Sequence, residues 1–411
     1  MHRGTNLPRM EEFNQTVILD TIRRAEHGLS RAQVARLTGL SAQTVTNIAR
    51  RLITQGLVVE AGGMTRPGPG RPGTRMRLDP GGRFAVGVHL DPALLTFVVL
   101  DLTGTVVATS ERSTPVPDRP DEAVAVIVAD VEALLSRSGI DRERVLGIGI
   151  ASPGPIDLEA GVVLDPPHLP GWHHVPLRAE VARQTGLRVV LDKDVIAAAS
   201  AHVWTRTGHE SNDFAFFYLG TGVAVSVVLH GEVVRGASGN AGEAGHLVVD
   251  TGGPRCACGQ HGCLGACVSA QGLVGAFVRA GVAVPAGVGS DDPRRAYETL
   301  QHLVRAADDG DRRAVDVLRT AGRRIGMGAV TVCDLLDLDP VILGGPLWGL
   351  VAGHAMPEIA PLLQERHVLA PVHPVRVVGS HLGQEVGAVG GACLVLSHAL
   401  SPRTASLLLD V

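Results

Sequence analysis

Apolar residues recur at helical spacing in three short segments at the start of the chain. The segments begin near Asn14, Ser30 and Ser41 and end before three glycines, Gly28, Gly39 and Gly56. A glycine is favoured just after a helix because it readily adopts a left-handed backbone conformation. We therefore predict three helices with these inward-facing residues: Val17, Ile18, Ile22 and Ala25; Val34, Ala35 and Leu37; Val45, Ile48, Leu52 and Ile53.

Two strand-like segments follow the predicted helices, at residues 57–59 and 75–78, on either side of a stretch rich in glycine and proline. Three helices and a two-stranded wing predict a winged helix-turn-helix domain over residues 1–80. With its apolar residues turned inward, the third helix presents Gln43, Thr44, Thr46, Asn47 and Arg50. Amide, hydroxyl and guanidinium groups in such a row can contact base edges in the major groove of double-stranded operator DNA.

The wing adds a second basic surface, formed by Arg66, Arg71, Arg75 and Arg77 with no acidic residue among them. Arg71 lies in the narrow segment 69–73, which could enter a minor groove. Residues 1–80 hold 12 arginines against 6 acidic residues, whereas the whole chain carries a net charge of −4. A basic head on an acidic body favours a polyanionic partner for the head alone. A helical bundle used only for dimerisation is the alternative.

After residue 83 the pattern changes to short apolar strands that alternate with longer helical segments. Three strands in succession are predicted twice, first at 84–89, 95–101 and 106–110, and again at 213–219, 223–229 and 232–235. Further strands are predicted at 145–151, 188–191 and 340–343, and helices at 122–136, 269–280, 293–308, 312–336 and 385–398. A repeated meander followed by helices indicates a duplicated α/β domain with a cleft between its halves.

Composition places the chain among well-packed proteins outside the membrane. It has 411 residues, 45% of them hydrophobic, and no run of about 20 apolar residues that could span a bilayer. The first residues lack the apolar core of a secretory signal. We expect a cytoplasmic protein with no membrane partner.

Four of the six cysteines lie close together, between residues 256 and 267. His246, Cys256, Cys258 and Cys263 supply one imidazole and three thiolates, a donor set suited to tetrahedral Zn²⁺. Four protein ligands leave no open position, so we expect a structural metal. Cys267 and His261 are possible substitute ligands, and a group of reduced, buried thiols is the alternative.

The sequence around these cysteines resembles the repressor/ORF/kinase (ROK) family of sugar kinases and sugar-responsive repressors. The resemblance rests on the G-E-x-G-H and C-x-C-G-x-x-G-C motifs, with support from A-S-P-G-P-I-D at 151–157, L-P-G-W at 169–172 and L-G-G-P at 343–346. It implies an α/β body with a two-lobed, hexokinase/actin-like (ribonuclease H-like) fold and a sugar cleft. The lobes would comprise residues 83–192 with the C-terminal helix, about 385–411, and residues 193–384.

The resemblance also implies where phosphoryl transfer would need particular residues. Kinases of the family place D-x-G-G-T in the first meander, where this chain has Asp91 and Pro92. A carboxylate repels phosphate and proline has no backbone N–H to donate, so we expect no ATP binding. The second phosphate turn, residues 220–225, retains only part of its glycines. We therefore predict no catalytic residues.

The only lysine of the chain stands between two aspartates, where the family kinases carry Asn-Asp. By the resemblance, Lys193 replaces an amide that binds sugar hydroxyls, Asp194 matches the general base, and Gly265 replaces a sugar-binding glutamate. Glu243 and His246 are retained. We expect the ammonium to lower the pKa of Asp194. Lys193 either faces solvent, paired with Asp192 or Asp194, or points inward and favours an acidic sugar or a sugar phosphate.

Together these features predict a transcriptional repressor whose body binds a small carbohydrate-like effector through Lys193, Asp194, Glu243 and His246. We expect a homodimer or a dimer of dimers, because symmetric operators suit paired heads. Two alternatives remain: an ATP-dependent sugar kinase fused to a DNA-binding head, and a DNA-binding protein that responds to no effector.

Overall fold

The structure is a computed structural model that describes residues 6–62, 74–115, 119–167, 169–206, 211–284 and 292–402. Its first part is a winged helix-turn-helix head, as predicted. The head contains α1 (Leu7–Arg23), β1 (Leu29–Ser30), α2 (Arg31–Thr38), α3 (Ala42–Thr54), β2 (Val58–Ala61) and β3 (Arg75–Leu78). The three strands form an antiparallel sheet in the order β1-β3-β2.

Local capping explains where the head helices begin and end. Ser30 and Gln33 form the predicted capping box, and Gly39 closes α2 in a left-handed conformation. Two sequence predictions were wrong in detail. Helix α1 begins at Leu7, seven residues earlier than expected, and Asn6 caps it. Leu37 is 60% exposed because the last turn of α2 extends beyond the head core, which Val34 reaches.

The body contains two five-stranded sheets. The first has the order β10-β7-β4-β5-β6, and the second has the order β13-β12-β11-β14-β15. The first is built from β4 (Phe84–Leu90), β5 (Leu94–Asp101), β6 (Val106–Ser113), β7 (Val145–Ser152) and β10 (Val189–Lys193). The second is built from β11 (Phe214–Leu219), β12 (Val223–Leu229), β13 (Glu232–Val233), β14 (Val341–Gly344) and β15 (Val377–Gly379). Each begins with the predicted antiparallel meander and adds parallel strands at one side.

Helices cover both sheets, and a small hairpin lies between β7 and β10. The helices are α4 (Pro120–Ser138), α5 (Leu177–Thr185), α6 (Asp194–Thr205), α7 (Leu264–Val268), α8 (Ala270–Arg279), α9 (Pro293–Asp308), α10 (Arg312–Leu336), α11 (Pro346–Arg366) and α12 (Val386–Leu400). The hairpin is formed by β8 (Ile156–Asp157) and β9 (Val162–Val163), and two 3₁₀ turns occupy Arg142–Arg144 and Ala244–His246. Helix α12 packs on β4, β7 and α6.

Helix α11 has no counterpart among the predicted elements. Pro357 and Pro361 lie inside it, and each removes a backbone donor, so its sequence favours a break. The helix is stabilised by the burial of one apolar face. This face is a stripe at four-residue spacing, formed by Leu347, Val351, Ala355, Ile359 and Leu363. No helix in the described part of the chain is long and apolar enough to cross a membrane.

The head and the body share one hydrophobic cluster. Ile18, Ile22 and Leu52 of the head belong to the same buried group as Leu100, Trp204 and Ala392 of the body. A shared apolar core favours a fixed head position over free tumbling on a linker. A change in the body can therefore reach the head through packed side chains.

Candidate effector site, metal centre and nucleic-acid interface

Helix α3 buries Val45, Ile48 and Leu52 and turns its polar residues outward, as its amphipathic pattern predicted. Gln43, Asn47 and Arg50 are exposed, and Gln43 Nε2 donates to Asn47 Oδ1 at 3.1 Å. Thr44 and Thr46 are half-buried, and Thr46 Oγ1 donates to the carbonyl of Ala42 at 2.7 Å. The amides and the guanidinium are therefore the groups of this face best placed to contact DNA.

The wing is described only at its base. Arg75 and Arg77 lie on β3, and both guanidinium groups donate to the carbonyl of His27, at 3.0 Å and 3.3 Å. Arg66 and Arg71 fall outside the described residues. The minor-groove contact expected of Arg71 stays a prediction.

His246, Cys256, Cys258 and Cys263 come together, and one ligand atom from each lies within 4.8 Å of the others. The His246 Nδ1 to Cys256 Sγ distance is 3.5 Å, and the Cys258 Sγ to Cys263 Sγ distance is 3.6 Å. For Zn–S bonds of about 2.3 Å, sulfur atoms in a tetrahedral site lie about 3.8 Å apart. These four residues therefore fit a single metal ion.

Two nearby residues are not part of this group. Cys267 is buried, and His261 Nδ1 lies 3.4 Å from the carbonyl of Gly253.

The thiols of the four-residue group differ in pKa. A backbone hydrogen bond from Gln260 lowers the pKa of Cys258 to about 7, whereas burial raises that of Cys263 to about 12. A bound cation would favour the thiolate form of all three cysteines.

Lys193 points inward and not toward solvent. Its Nζ donates to Glu243 Oε1 at 2.6 Å and to the carbonyls of Asn240 and Ala241 at 3.2 Å and 3.4 Å. The Lys193 side chain is 3% exposed, whereas that of Glu243 is 64% exposed. The possible pairing of Lys193 with Asp192 or Asp194 is not found, because the strand directs it toward the loop before Glu243.

The expected lowering of the Asp194 pKa was wrong. Burial raises the pKa of Asp194 to about 7, and the negative charges of Asp91 and Glu243 add to this, while Val195 N–H and the charge of Lys193 oppose it. Loss of hydration thus outweighs the neighbouring ammonium. The charge of Glu243, which pairs with Lys193, acts on Asp194 in the opposite direction to the ammonium.

Two residues that shape this site were not found from the sequence. The Asn240 side chain bonds the backbone N–H and carbonyl of Ile156, both at 2.8 Å, which holds the Asn240 carbonyl near Lys193. A Cβ on Gly154 would lie 3.0 Å from Lys193 Cε, so the glycine lets the lysine stem pass close to the backbone. The Gly-Asn-Ala-Gly-Glu run before His246 is the signal that could have indicated Asn240.

A direct contact joins the two halves of the body beside this site. Thr221 Oγ1 lies 2.7 Å from both carboxylate oxygens of Asp91. Behind it, the buried His89 Nε2 and Tyr218 hydroxyl are 3.2 Å apart. The turn after β4 and the turn after β11 are thereby held together; we call these two contacts the inter-sheet clasp.

The body matches the ROK family model over residues 86–398, and residues 6–63 match the model of the MarR family. The chain belongs to the ROK family. This ROK protein is 24% identical over 397 residues to the xylose repressor of Caldicellulosiruptor bescii, covering 95% of this chain and 97% of that protein. It is 30% identical over 327 residues to a glucokinase of Thermotoga maritima, covering 75% of this chain and 96% of that enzyme.

The similar solved structures likewise include both a transcriptional regulator and a sugar kinase. A ROK family transcriptional regulator, a homologue of the E. coli MLC protein, superposes with a TM-score of 0.76 at 25% identity, covering 95% of this chain and 97% of that one. A ROK family glucokinase from Streptomyces griseus, solved with glucose and AMPPNP, gives 0.63 at 29% identity, covering 76% of this chain and 98% of that one. The repressor-type relatives thus include a counterpart of the head, and the predicted actin-like ROK fold is confirmed.

Proposed function

We propose that this protein is a transcriptional repressor that binds operator DNA through its head and a carbohydrate-like effector in its body. The exposed polar face of α3, on a head joined to a ROK body, carries the proposal. Similarity to xylose repressors over 95% of the chain supports it. The lobes would be residues 83–192 with the C-terminal helix and residues 193–384.

The effector would bind where Asp194, Glu243 and His246 offer polar groups beside Lys193. Carboxylates accept hydrogen bonds from hydroxyl groups, and a metal-bound imidazole donates one through its other ring nitrogen, which suits a sugar. The ammonium of Lys193 is already paired with Glu243, and this favours a neutral sugar over an acidic one. Effector binding can release DNA only if it favours an arrangement of the body that misplaces the heads.

A homodimer would place two heads on operator half-sites about 34–36 Å apart, or a multiple of that distance. A bound Zn²⁺ held by His246, Cys256, Cys258 and Cys263 would act as a structural centre that joins the loop before α7 to the 3₁₀ turn at Ala244–His246. Its four protein ligands leave no position for a substrate.

The DNA proposal is tested with duplexes selected from a random pool by the full-length protein. Arg50→Ala removes one base-contacting group, so operator affinity should fall about 5- to 150-fold, the range for a loss of ~1–3 kcal/mol. Arg137→Ala, which removes an exposed arginine of the body, is the matched control. Equal affinity of both variants would refute a role for Arg50 in operator recognition.

The effector proposal is tested by thermal unfolding with a panel of neutral sugars, acidic sugars and sugar phosphates. A ligand of the folded state raises the unfolding temperature, and Glu243→Gln should reduce the rise. The sugar that binds should also weaken operator binding. If no member of the panel binds, the effector-independent alternative is favoured.

An ATP-dependent sugar kinase is the second candidate, because the Thermotoga maritima relative is a glucokinase. Against it stands the inter-sheet clasp, in which Asp91 occupies one of the two turns that hold phosphates in family kinases and binds Thr221 of the other. We therefore expect no sugar-dependent ATP turnover in a coupled assay. Measurable turnover would reverse the choice between the two functions.

A further inference from the structure

A cavity of about 1060 Å³ opens between helix α1 of the head and the edges of both body sheets. Strand β10 ends the first sheet and strand β13 ends the second. Residues of both strands line the cavity, together with residues of α6 and α12. The cavity therefore touches the head and both halves of the body.

This cavity is separate from the proposed effector site. Successive side chains of a strand point to opposite faces, and β10 separates the two sites in this way. Asp192 lines the cavity and pairs with Arg235, while Lys193 points the other way to Glu243. A ligand in one site leaves the other free.

The cavity has an excess of positive charge. Five arginines line it: Arg23, Arg24, Arg178, Arg188 and Arg235. Only three carboxylates, those of Asp20, Asp192 and Glu232, lie among the described lining residues. Asp20 pairs with Arg23 and Arg24, and Asp192 pairs with Arg235.

Arg178 and Arg188 differ from the other three, since neither forms a salt bridge with a carboxylate of the described chain. Arg178 donates to the carbonyls of Leu158 and Glu159 at 2.9 Å and 2.6 Å. Arg188 Nη2 lies 2.9 Å from Nδ1 of His398. Two backbone carbonyls hold the Arg178 guanidinium and the His398 ring contacts that of Arg188, so neither contact supplies a carboxylate.

We propose that this cavity binds a small, multiply charged metabolite bearing phosphate or carboxylate groups, with Arg178 and Arg188 as its main contacts. A planar guanidinium binds either group through paired hydrogen bonds. The cavity volume suits a ligand of metabolite size. Because α1 and α6 both line the cavity, the ligand would also add contacts between head and body.

The proposal is tested by calorimetric titration of the full-length protein. Bisphosphoglycerate is the phosphate probe, tricarballylate the carboxylate probe, and sodium chloride of equal ionic strength the control. At least one of the two probes is expected to bind saturably, with one molecule per chain. Arg188→Gln should weaken binding about tenfold or more, since a charge-assisted contact contributes at least ~1.4 kcal/mol. Arg137→Gln, which removes an exposed arginine outside the cavity, should leave binding unchanged.

Two further variants keep the test decisive. Arg178→Gln should also weaken binding, and its thermal unfolding reports whether the fold is retained. Lys193→Met removes the cation of the effector site and should leave binding unchanged. The absence of saturable binding by both probes would overturn the proposal. So would a loss of binding in Lys193→Met with normal binding in Arg188→Gln, because the anion would then lie in the effector site.

Discussion

At the scale of single residues, the proposed effector site shows how the loss of hydration can determine the protonation state of a carboxyl group. Asp194 lies at the start of α6, beside the only lysine of the chain, and its pKa is nevertheless raised to about 7. The ammonium of Lys193 is occupied by Glu243 and by two backbone carbonyls. Asp194 therefore exists in both protonation states near neutral pH, and it can either donate or accept a hydrogen bond there.

The raised pKa of Asp194 makes stability depend on pH. The folded-state pKa of about 7 exceeds the unfolded value of about 3.9, so this group stabilises the fold below pH ~4. That contribution is lost as the pH rises through about 7. Asp194→Asn should remove this loss, so its free energy of unfolding should exceed that of the native chain by up to ~4 kcal/mol at pH ~8, and by less as the pH falls toward ~4. Urea unfolding at several pH values measures it. Asp316→Asn, at an exposed carboxylate, should show no such gain.

The metal group permits a second prediction at the residue scale. Cys258→Ser replaces a soft thiolate by a hydroxyl, which is a poor zinc ligand at neutral pH. The purified variant should lose zinc and unfold at a lower temperature, because metal binding to a folded site contributes to folding free energy. Cys333→Ser changes a cysteine outside the group and should keep its zinc. Full metal content in Cys258→Ser would contradict the ligand set.

At the scale of elements, α6 connects the proposed effector site to the head. The helix begins at Asp194 and ends at Thr205, and Trp204 in its last turn lies under the guanidinium of Arg23 from α1, 4.7 Å from the ring centroid. Arg23 also donates to the carbonyls of Val203 and Trp204. A movement at the start of α6 can thus reach the head through a single rigid element.

We therefore expect Trp204→Leu to weaken the coupling between effector and operator. The cation–π contact would be lost while an apolar side chain remains. The ratio of operator dissociation constants with and without saturating sugar should fall toward 1, from the factor of about 5–150 usual for coupled sites. Thr205→Val, at the next residue, is the control and should keep the native ratio. An unchanged ratio in Trp204→Leu would exclude this route.

At the scale of the whole molecule, two kinds of contact hold the parts together. The head shares a buried cluster with the body, and the inter-sheet clasp joins the two halves of the body at Asp91 and Thr221. Helix α12 also packs closely on the first sheet. A Cβ on Gly149 of β7 would lie 1.7 Å from the carbonyl oxygen of Gly391 in α12, so the two backbones are in direct contact there. These contacts restrict the independent movement of the head and of the two halves of the body.

The clasp gives a prediction at this scale. Thr221→Val removes the hydroxyl and leaves a partly buried carboxylate without this donor, so the free energy of unfolding should fall by about 1–3 kcal/mol. Thr221→Ser retains the hydroxyl and should stay near the native stability. Chemical denaturation measures both variants. Equal stability of Thr221→Val and the native chain would show that the contact between Asp91 and Thr221 does not help to hold the two halves together.

The sequence alone determined those features that depend on neighbouring residues. Periodicity placed the head helices, the outward face of α3 and both meanders, and the spacing of His246, Cys256, Cys258 and Cys263 anticipated their grouping. Only the tertiary structure decided the direction of Lys193, the pKa of Asp194 and the clasp. Lys193 and Glu243 are 50 residues apart, and Asp91 and Thr221 are 130 apart. Burial and charge pairing arise between segments that folding brings together, and helix α11 likewise forms despite two prolines because its apolar stripe is buried.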